Sequence, residues 1–236
     1  MRFDACAHSY DDHAAPQRAF AARVAEFIQL APHEEVLEFG AGTGALTRRL
    51  CEGGGAGVLA TDASPAMVSL GRAAVPAAKW STLDSFRAAV PRSSLQVSSG
   101  LLQWAEDPKQ VLEHWKAALK PGGRMVHAVP CEPCLAEWRA LVRESPVRWR
   151  DQAGWRKLFA QAGLQVRRQQ SWVLHPVFPS ALELVRSLHQ SGVTGRVHLD
   201  PGRLRAAIRA YDARHRGPEG VIATWAWLAI EAVPAA

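Results

Sequence analysis

A glycine-rich turn flanked by two carboxylates is the part of this 236-residue chain best suited to chemistry. Gly40, Gly42 and Gly44 follow Glu38, and Asp62 lies 22 residues after the first of these glycines. Glycines let a ligand approach backbone N–H groups, and a carboxylate at that spacing is placed to accept hydrogen bonds from a ribose diol. Such charge-assisted hydrogen bonds contribute about 1.5–3 kcal/mol each. The spacing therefore predicts a nucleotide cofactor site.

The elements on either side of the turn must bring these groups together. A predicted strand, 35–39, ends at the glycines, and a helix, 43–52, starts there, so backbone N–H groups and the positive helix end face one volume. A second strand, 57–61, delivers Asp62 to the same edge. Strands and helices keep alternating along the chain, which indicates a parallel, doubly wound α/β sheet. The other predicted elements are helices 65–74, 84–90 and 108–119 and strands 78–82, 94–98, 124–129, 164–174 and 221–232.

The glycine pattern leaves the cofactor open, because Gly40, Gly42 and Ala45 also satisfy the dinucleotide fingerprint, and a glycine loop can simply turn the chain. Two further features separate these alternatives. Glu38 stands two residues before the first glycine, and Leu119-Lys120-Pro121-Gly122-Gly123 precedes an apolar strand. Both resemble segments of the class I S-adenosylmethionine (SAM) methyltransferases. The resemblance implies SAM as cofactor, S-adenosylhomocysteine (SAH) as its product, and a Rossmann-like sheet of seven strands whose last strand is antiparallel.

Length and charge limit the remaining possibilities. The chain suits a single domain, 1–236, with no visible linker. The first residues lack an apolar core and the apolar stretch 221–230 is too short to span a bilayer, so we expect a cytoplasmic protein without a membrane partner.

The two halves of the chain differ in charge. Residues 121–236 carry 16 Lys and Arg against 9 Asp and Glu, whereas residues 1–120 carry 12 against 13. The basic half is either a set of solvated helix faces or a surface for an acidic partner. No nucleic-acid motif accompanies its arginines, so we expect no nucleic-acid partner.

The four cysteines do not indicate a disulfide scaffold, and reduced thiols are expected. Cys131 and Cys134 form a C-x-x-C pair, but the sequence lacks the second pair that would complete a tetrahedral zinc site. We therefore expect no metal and assign the pair to packing, with redox use as the alternative.

Two helical segments are expected to cover the cofactor crevice. The N-terminal segment, 1–34, contains an amphipathic helix with apolar residues at positions 20, 24, 27 and 28. An insertion before the last strand, 175–218, contains two helices that begin near Ser180 and Asp200, both good capping residues. The predicted buried residues of these two helices are Leu182, Val185 and Leu188, then Leu204, Ile208 and Tyr211, with Arg203, Arg205, Arg209, Arg214 and Arg216 largely outside.

Three segments outside the cofactor core narrow the resemblance. They are Phe3-Asp4-x-Cys6-Ala7-x-Ser9-Tyr10-x-x-His13-Ala14-x-x-Gln17-Arg18, then Leu101-Leu102-Gln103-Trp104, and Leu184-x-Arg186-Ser187-Leu188-x-x-x-Gly192. In this order they resemble the malonyl-acyl-carrier-protein O-methyltransferases of biotin synthesis, the BioC family, over nearly the whole chain. The chain departs from that family at Ser81-Thr82, where the family has Gly-Asp, at Ser93-Ser94, where it has Phe-Asp, and at His189, where it has Lys.

The resemblance implies roles for individual residues. The three glycines would admit the methionine part of SAM, Glu38 would organise the loop, and Asp62 would hold the ribose. Ala63 and Leu83 would flank the adenine, with Asp84 or the Leu83 backbone replacing the missing acid. Ser98 and Ser99 would lie near the sulfonium. The full set of cofactor-binding residues is Arg18, Glu38, Gly40, Gly42, Gly44, Asp62, Ala63, Leu83 and Ser98. The substrate-positioning residues are Tyr10, Trp104, Arg186 and His189.

The resemblance further implies that the free carboxylate of a malonyl group on an acyl carrier protein is methyl-esterified early in biotin (pimeloyl) synthesis. A carboxylate is ionised at neutral pH, so this reaction needs positioning and no general base. We expect a monomer that receives the acidic carrier on Arg139–Arg150 and Arg203–Arg216. Two alternatives are another small-molecule class I methyltransferase and a non-catalytic, methyltransferase-like partner protein. Thr82 and Ser94, which replace expected acids, favour the second of these.

Overall fold

A seven-stranded mixed sheet forms the centre of the protein. The computed structural model describes residues 10–32, 34–54, 57–142, 144–194 and 199–235. The strand order is β3-β2-β1-β4-β5-β10-β6, and β10 runs antiparallel to both of its neighbours. The strands of this sheet are β1 Glu35–Phe39, β2 Gly57–Asp62, β3 Lys79–Thr82, β4 Ser93–Ser99, β5 Leu119–Pro130, β6 Leu164–Leu174 and β10 Trp225–Pro234.

Helices connect these strands, and a small second sheet accompanies the insertion. The short strands β7 Val177–Phe178, β8 Arg216–Gly217 and β9 Gly220–Ile222 pair in the order β7-β9-β8. The helices are α1 Tyr10–His13, α2 Ala15–Phe27, α3 Ala45–Glu52, α4 Pro65–Ala74, α5 Pro108–Ala117, α6 Ala136–Arg139, α7 Gln152–Gln161, α8 Ala181–Gln190 and α9 Pro201–His215, with a 3₁₀ turn at Leu102–Trp104.

The strand order reverses between β1 and β4, which flank each other as parallel neighbours. In such sheets the connections leave the two strands in opposite directions, which opens a crevice at their carboxyl ends. The predicted Rossmann-like sheet of seven strands with an antiparallel last strand is confirmed. The sequence therefore correctly placed the glycine loop and Asp62 at the carboxyl ends of two neighbouring parallel strands.

Side-chain caps explain why several helices begin where the sequence predicts. Ser64 accepts a hydrogen bond from the Met67 N–H at the start of α4, and Asp107 caps α5. Ser180 and Asp200 cap α8 and α9 in the same way. Each cap accepts backbone donors that have no partner within the helix, worth about 1 kcal/mol.

Two predicted elements differ in the structure. Residues 84–90 form a single turn rather than a helix, because Asp84 accepts the N–H groups of Arg87 and Ala88 and the chain then reaches Pro91. The predicted last strand, 221–232, is divided in two. Its first residues belong to β9 in the small sheet, and the chain crosses to the main sheet at Ala223 and Thr224.

The α8 helix buries a face that differs from the predicted one. Leu184 and Leu188 are buried, whereas Leu182 is 42% exposed, so the prediction that Leu182 is buried was wrong. The cause is a shift in helical phase, since Leu184 and Leu188 are four residues apart and Leu182 falls outside their stripe. In α9, Tyr211 is buried and donates its hydroxyl hydrogen bond to the Ile222 carbonyl at 2.7 Å. The five arginines named for α9 are exposed, as predicted.

A polar pair lies inside the sheet. Ser98 of β4 and His127 of β5 are register partners, both fully buried, and their Oγ and Nδ1 atoms are 2.9 Å apart. Burial lowers the pKa of His127 to about 3, so its imidazole is neutral at physiological pH. Ser98 is thereby committed to a partner within the core.

Cys131 and Cys134 are buried and carry free thiols. Burial raises their pKa values, to about 11 for Cys131 and about 12 for Cys134, so both are protonated at neutral pH. Cys6 lies outside the described residues.

Within the described ranges, no cluster of three His, Cys, Asp or Glu side chains is arranged to hold a metal ion. No helix in that part of the chain has the length and apolar character needed to cross a bilayer.

Candidate active site

A cavity of about 120 Å³ lies at the carboxyl ends of β1 and β4. Its walls come from the glycine loop, the N-terminal helices, the segment after β4 and the start of β10. The sequence-predicted residues on its wall are Tyr10, Arg18, Glu38, Gly40, Gly42 and Trp104.

The three glycines of the loop have different physical roles. All have left-handed φ angles, 63° at Gly40, 56° at Gly42 and 94° at Gly44, which disfavour other residues. A Cβ on Gly40 would meet the Leu101 side chain at 3.0 Å, and one on Gly44 would meet Val75 at 3.0 Å. At Gly42, no described atom beyond the neighbouring residues lies within 4 Å of that position. Gly40 and Gly44 are therefore required by packing, and Gly42 leaves space for a ligand.

The carboxylate of Asp62 holds this loop in place. One oxygen accepts the Gly42 N–H at 3.0 Å and the other accepts the Ser64 N–H at 2.8 Å. Asp62, Ala63, Leu83 and Gly44 are not on the cavity wall. The Leu83 N–H donates to the Asp62 carbonyl at 2.9 Å, so this proposed adenine donor is already paired. The contacts of Asp62 with ribose and of Ala63 and Leu83 with adenine stay predictions.

Glu38 places a buried carboxyl group at the floor of the cavity. It is 2% exposed, and Thr47 of α3 donates its hydroxyl hydrogen bond to the carboxyl group at 2.6 Å. Burial raises the pKa of Glu38 to about 7, with a smaller upward contribution from Asp62 and an opposing one from the Thr47 hydrogen bond. A cation in the cavity would favour the ionised form. The site is therefore suited to a positively charged ligand.

The N-terminal segment joins the glycine loop to the insertion. Thr43 donates a hydrogen bond to the Asp11 carboxylate at 2.7 Å, and Arg18 donates to the Asp11 carbonyl. On the other side, the Ser187 hydroxyl in α8 donates to the His13 carbonyl at 3.0 Å. Burial raises the pKa of Tyr10 to about 12, so its phenol is protonated at neutral pH.

Sequence reasoning named Gln17 and Gln103 within the family-like segments but missed two tryptophans on the cavity wall. Trp225 and Trp227 of β10 line it, and their buried indole N–H groups have no hydrogen-bond partner among the described residues. The side-chain oxygens of Gln17 and Gln103 are also buried on this wall and accept no hydrogen bond from the described residues. Buried polar groups are usually paired, so these donors and acceptors indicate a polar ligand. The spacing of two between the tryptophans, which puts both on one face of a strand, could have identified them.

The other predicted site residues separate into two groups. Of the two serines predicted near the sulfonium, Ser98 is turned into the core toward His127 and Ser99 lines the cavity. Arg186 and His189 are exposed on α8 and line a second cavity, of about 400 Å³, that adjoins the first. The structure thus gathers the predicted cofactor loop and Trp104 at one cavity and the two predicted insertion residues at another.

The strand order, the glycine loop and the buried acid define a class I SAM-dependent methyltransferase, and the methyltransferase domain family matches residues 37–125. The chain is 30% identical to the malonyl-[acyl-carrier protein] O-methyltransferase of Alcanivorax borkumensis over 98% of this chain and 84% of that protein. It belongs to the malonyl-[acyl-carrier protein] O-methyltransferase family.

Two other relatives extend this comparison. The chain is 31% identical to the biotin biosynthesis bifunctional protein BioCD of Bordetella avium, over 89% of this chain and 48% of that protein, and so spans about half its length. The fold matches the magnesium protoporphyrin IX methyltransferase of Synechocystis PCC 6803 with bound SAH, with a TM-score of 0.58 and 14% identity, over 94% of this chain and 84% of that one.

Replacement of Gly42 by alanine tests whether the loop leaves space for SAM. Gly42→Ala should weaken SAH binding roughly tenfold or more, because the methyl group enters the cavity. Gly54→Ala is the matched control, since Gly54 also has a left-handed φ, 88°, and open space around the Cβ position. Both variants should lose about 1–2 kcal/mol of unfolding free energy in urea. Equal SAH affinities by calorimetry in the two variants would contradict the assignment.

The raised pKa of Glu38 predicts that SAM binding releases protons. Near pH 7 the carboxyl group is partly protonated, and the cationic cofactor favours its ionised form, so affinity should rise as the pH increases through 7. Calorimetry in two buffers of different ionisation enthalpy measures this release. Glu38→Gln should reduce it, whereas Glu113→Gln, at an exposed ion pair with Lys109, should not. Identical proton release in wild type and Glu38→Gln would refute the link.

Proposed function

We propose that this enzyme transfers a methyl group from SAM to the free carboxylate of a malonyl thioester on an acyl carrier protein, early in biotin synthesis. The observation that carries the proposal is the set of titratable groups on the cavity wall. Tyr10 and Cys134 have pKa values raised to about 12, and Arg18 is a cation. No histidine or lysine is among the described residues of that wall.

This set suits an acceptor that is already an anion. A hydroxyl acceptor would need a base to remove its proton, whereas a carboxylate attacks without one. Glu38 is the remaining acid on the wall, and its carboxyl group is held by Thr47 under the glycine loop, where it favours a cation. The bound cofactor would supply an electrophilic methyl group on a sulfonium.

The remaining residues position and shield the reactants. The unpaired indole N–H groups of Trp225 and Trp227 are suited to donate to the acceptor carboxylate. The N-terminal segment, 1–34, and the insertion, 175–218, act as a cover and a lid that exclude water and strengthen the attraction between sulfonium and carboxylate. Holding two reactants in line can lower a barrier by about 7–11 kcal/mol, so positioning can supply most of the catalysis.

Two kinds of observation support the choice of substrate. The Alcanivorax borkumensis relative is named for malonyl-[acyl-carrier protein], and the Bordetella avium relative for biotin biosynthesis. Arg203, Arg205, Arg209 and Arg214 are exposed along α9 within the lid, and their positive charge complements an acidic carrier. Methylation removes the charge of the free acid, so fatty-acid elongation enzymes could extend the product as an ordinary acyl chain.

Methyl-labelled SAM tests the proposed reaction directly. We expect label on malonyl carrier protein in a base-labile ester, less label on malonyl coenzyme A, and none on acetyl carrier protein, which lacks the free carboxylate. The label would be followed by scintillation counting and by mass spectrometry of the intact carrier. Label on acetyl carrier protein, or on neither thioester, would overturn the proposal.

Charge reversal on α9 tests the docking surface. Arg205→Glu with Arg209→Glu should raise the KM for malonyl carrier protein roughly tenfold at low salt and leave SAH affinity unchanged, because long-range attraction is lost. Arg156→Glu with Lys157→Glu gives the same change in charge on the exposed face of α7 and should leave KM unchanged. Equal kinetics for the two double variants would exclude α9 as the docking surface.

A further inference from the structure

Two adjoining cavities share one partition. The first, at the glycine loop, and the second, of about 400 Å³, are both lined by Leu135, Trp149 and Val193. The second cavity lies between α6, the segment that follows it, α8 and α9, and none of the glycine-loop residues lines it. Movement of the partition residues would therefore join the two into one passage.

The walls of the second cavity are apolar and its margin is basic. The apolar side chains that line it include Val142, Val185 and Leu204, and Leu182, which also lines it, is 42% exposed. Arg186 and His189 lie on the same wall and are exposed. The four arginines of α9 begin at this margin, where Arg203 forms an ion pair with Glu144 at 2.7 Å.

Trp149, one of the three partition residues, is held by two side-chain contacts. The Arg139 guanidinium lies 4.4 Å from its ring centroid, and its indole N–H donates to the Ser145 hydroxyl at 2.7 Å. Arg139 is itself held by an ion pair with Glu132 at 2.5 Å. The tryptophan is half-buried and lines both cavities, so its side chain lies between them.

We propose that the second cavity is the channel for the phosphopantetheine arm of the carrier, with Trp149 as the gate to the methyl-transfer site. This inference rests on the proposed function. The arm is a long, uncharged chain that ends in the thioester, which suits apolar walls, and its phosphate suits the basic margin. The carrier itself then stays outside, against α9, while the malonyl carboxylate reaches the cofactor cavity past Trp149.

A bulky side chain in the channel tests this assignment. Val185→Trp fills the second cavity and should lower kcat/KM for malonyl carrier protein at least tenfold, with SAH affinity within twofold of wild type. Val173→Trp is the matched control, because Val173 is 49% exposed on β6 and lines neither cavity. It should leave both quantities unchanged. Wild-type kcat/KM in a folded Val185→Trp enzyme would overturn the channel.

Two further measurements keep the outcome decisive. If Val185→Trp fails to fold, Leu182→Trp at the exposed opening replaces it. It should also lower kcat/KM for malonyl carrier protein at least tenfold, and a wild-type value would overturn the channel. A malonyl thioester of N-acetylcysteamine, which lacks most of the arm, should react equally with wild type and the tryptophan variant. A wild-type enzyme that methylates no malonyl thioester refutes the proposed function and the channel with it. Normal wild-type activity with an unaffected variant refutes the channel alone.

Discussion

The geometry of the cofactor loop depends on the carboxylate of Asp62. Its two oxygens accept one N–H from the loop after β1 and one from the turn before α4, at 3.0 and 2.8 Å. An amide in its place could accept only one of these bonds and would present a donor to the other backbone donor. The left-handed loop has no side-chain cap at the start of α3 among the described residues, so this carboxylate connects it to the neighbouring strand. The space beside Gly42 exists because of that connection.

Opposite charges are distributed across the cavity in a way that follows from burial. Glu38 is buried beneath the glycine loop, and this burial raises its pKa to about 7. A bound cation would favour the ionised carboxylate and lower that pKa. The indole donors of Trp225 and Trp227 come from the antiparallel strand on the far side of β5. One wall thus favours a positive group and another offers donors to a negative one. A reaction between a sulfonium and a carboxylate needs this arrangement.

The sequence predicted most of the fold and the loop, because these follow from local patterns. The sixth strand, 164–174, and helix 65–74 match the structure residue for residue. The predictions fail where a shift of one residue along a strand or helix changes which side of it a side chain lies on. Ser98 and Ser99 adjoin each other on β4, yet one faces His127 and the other the cavity, and neighbouring sequence does not distinguish the two faces. Likewise, the position of Leu182 depends on which stripe of α8 meets its neighbours, and the division of β9 from β10 depends on a pairing with β7 and β8.

Two hydrogen bonds hold α1 of the N-terminal segment to its neighbours. Asp11 accepts one from Thr43 of the glycine loop, and the His13 carbonyl accepts one from Ser187 of α8. Displacing this segment from the glycine loop and α8 would break both hydrogen bonds. Hydrogen bonds of this kind contribute about 0.5–1.5 kcal/mol each, far less than the barrier to an ordinary chemical step. These two bonds alone would therefore not make opening of the segment the slow step of a catalytic cycle.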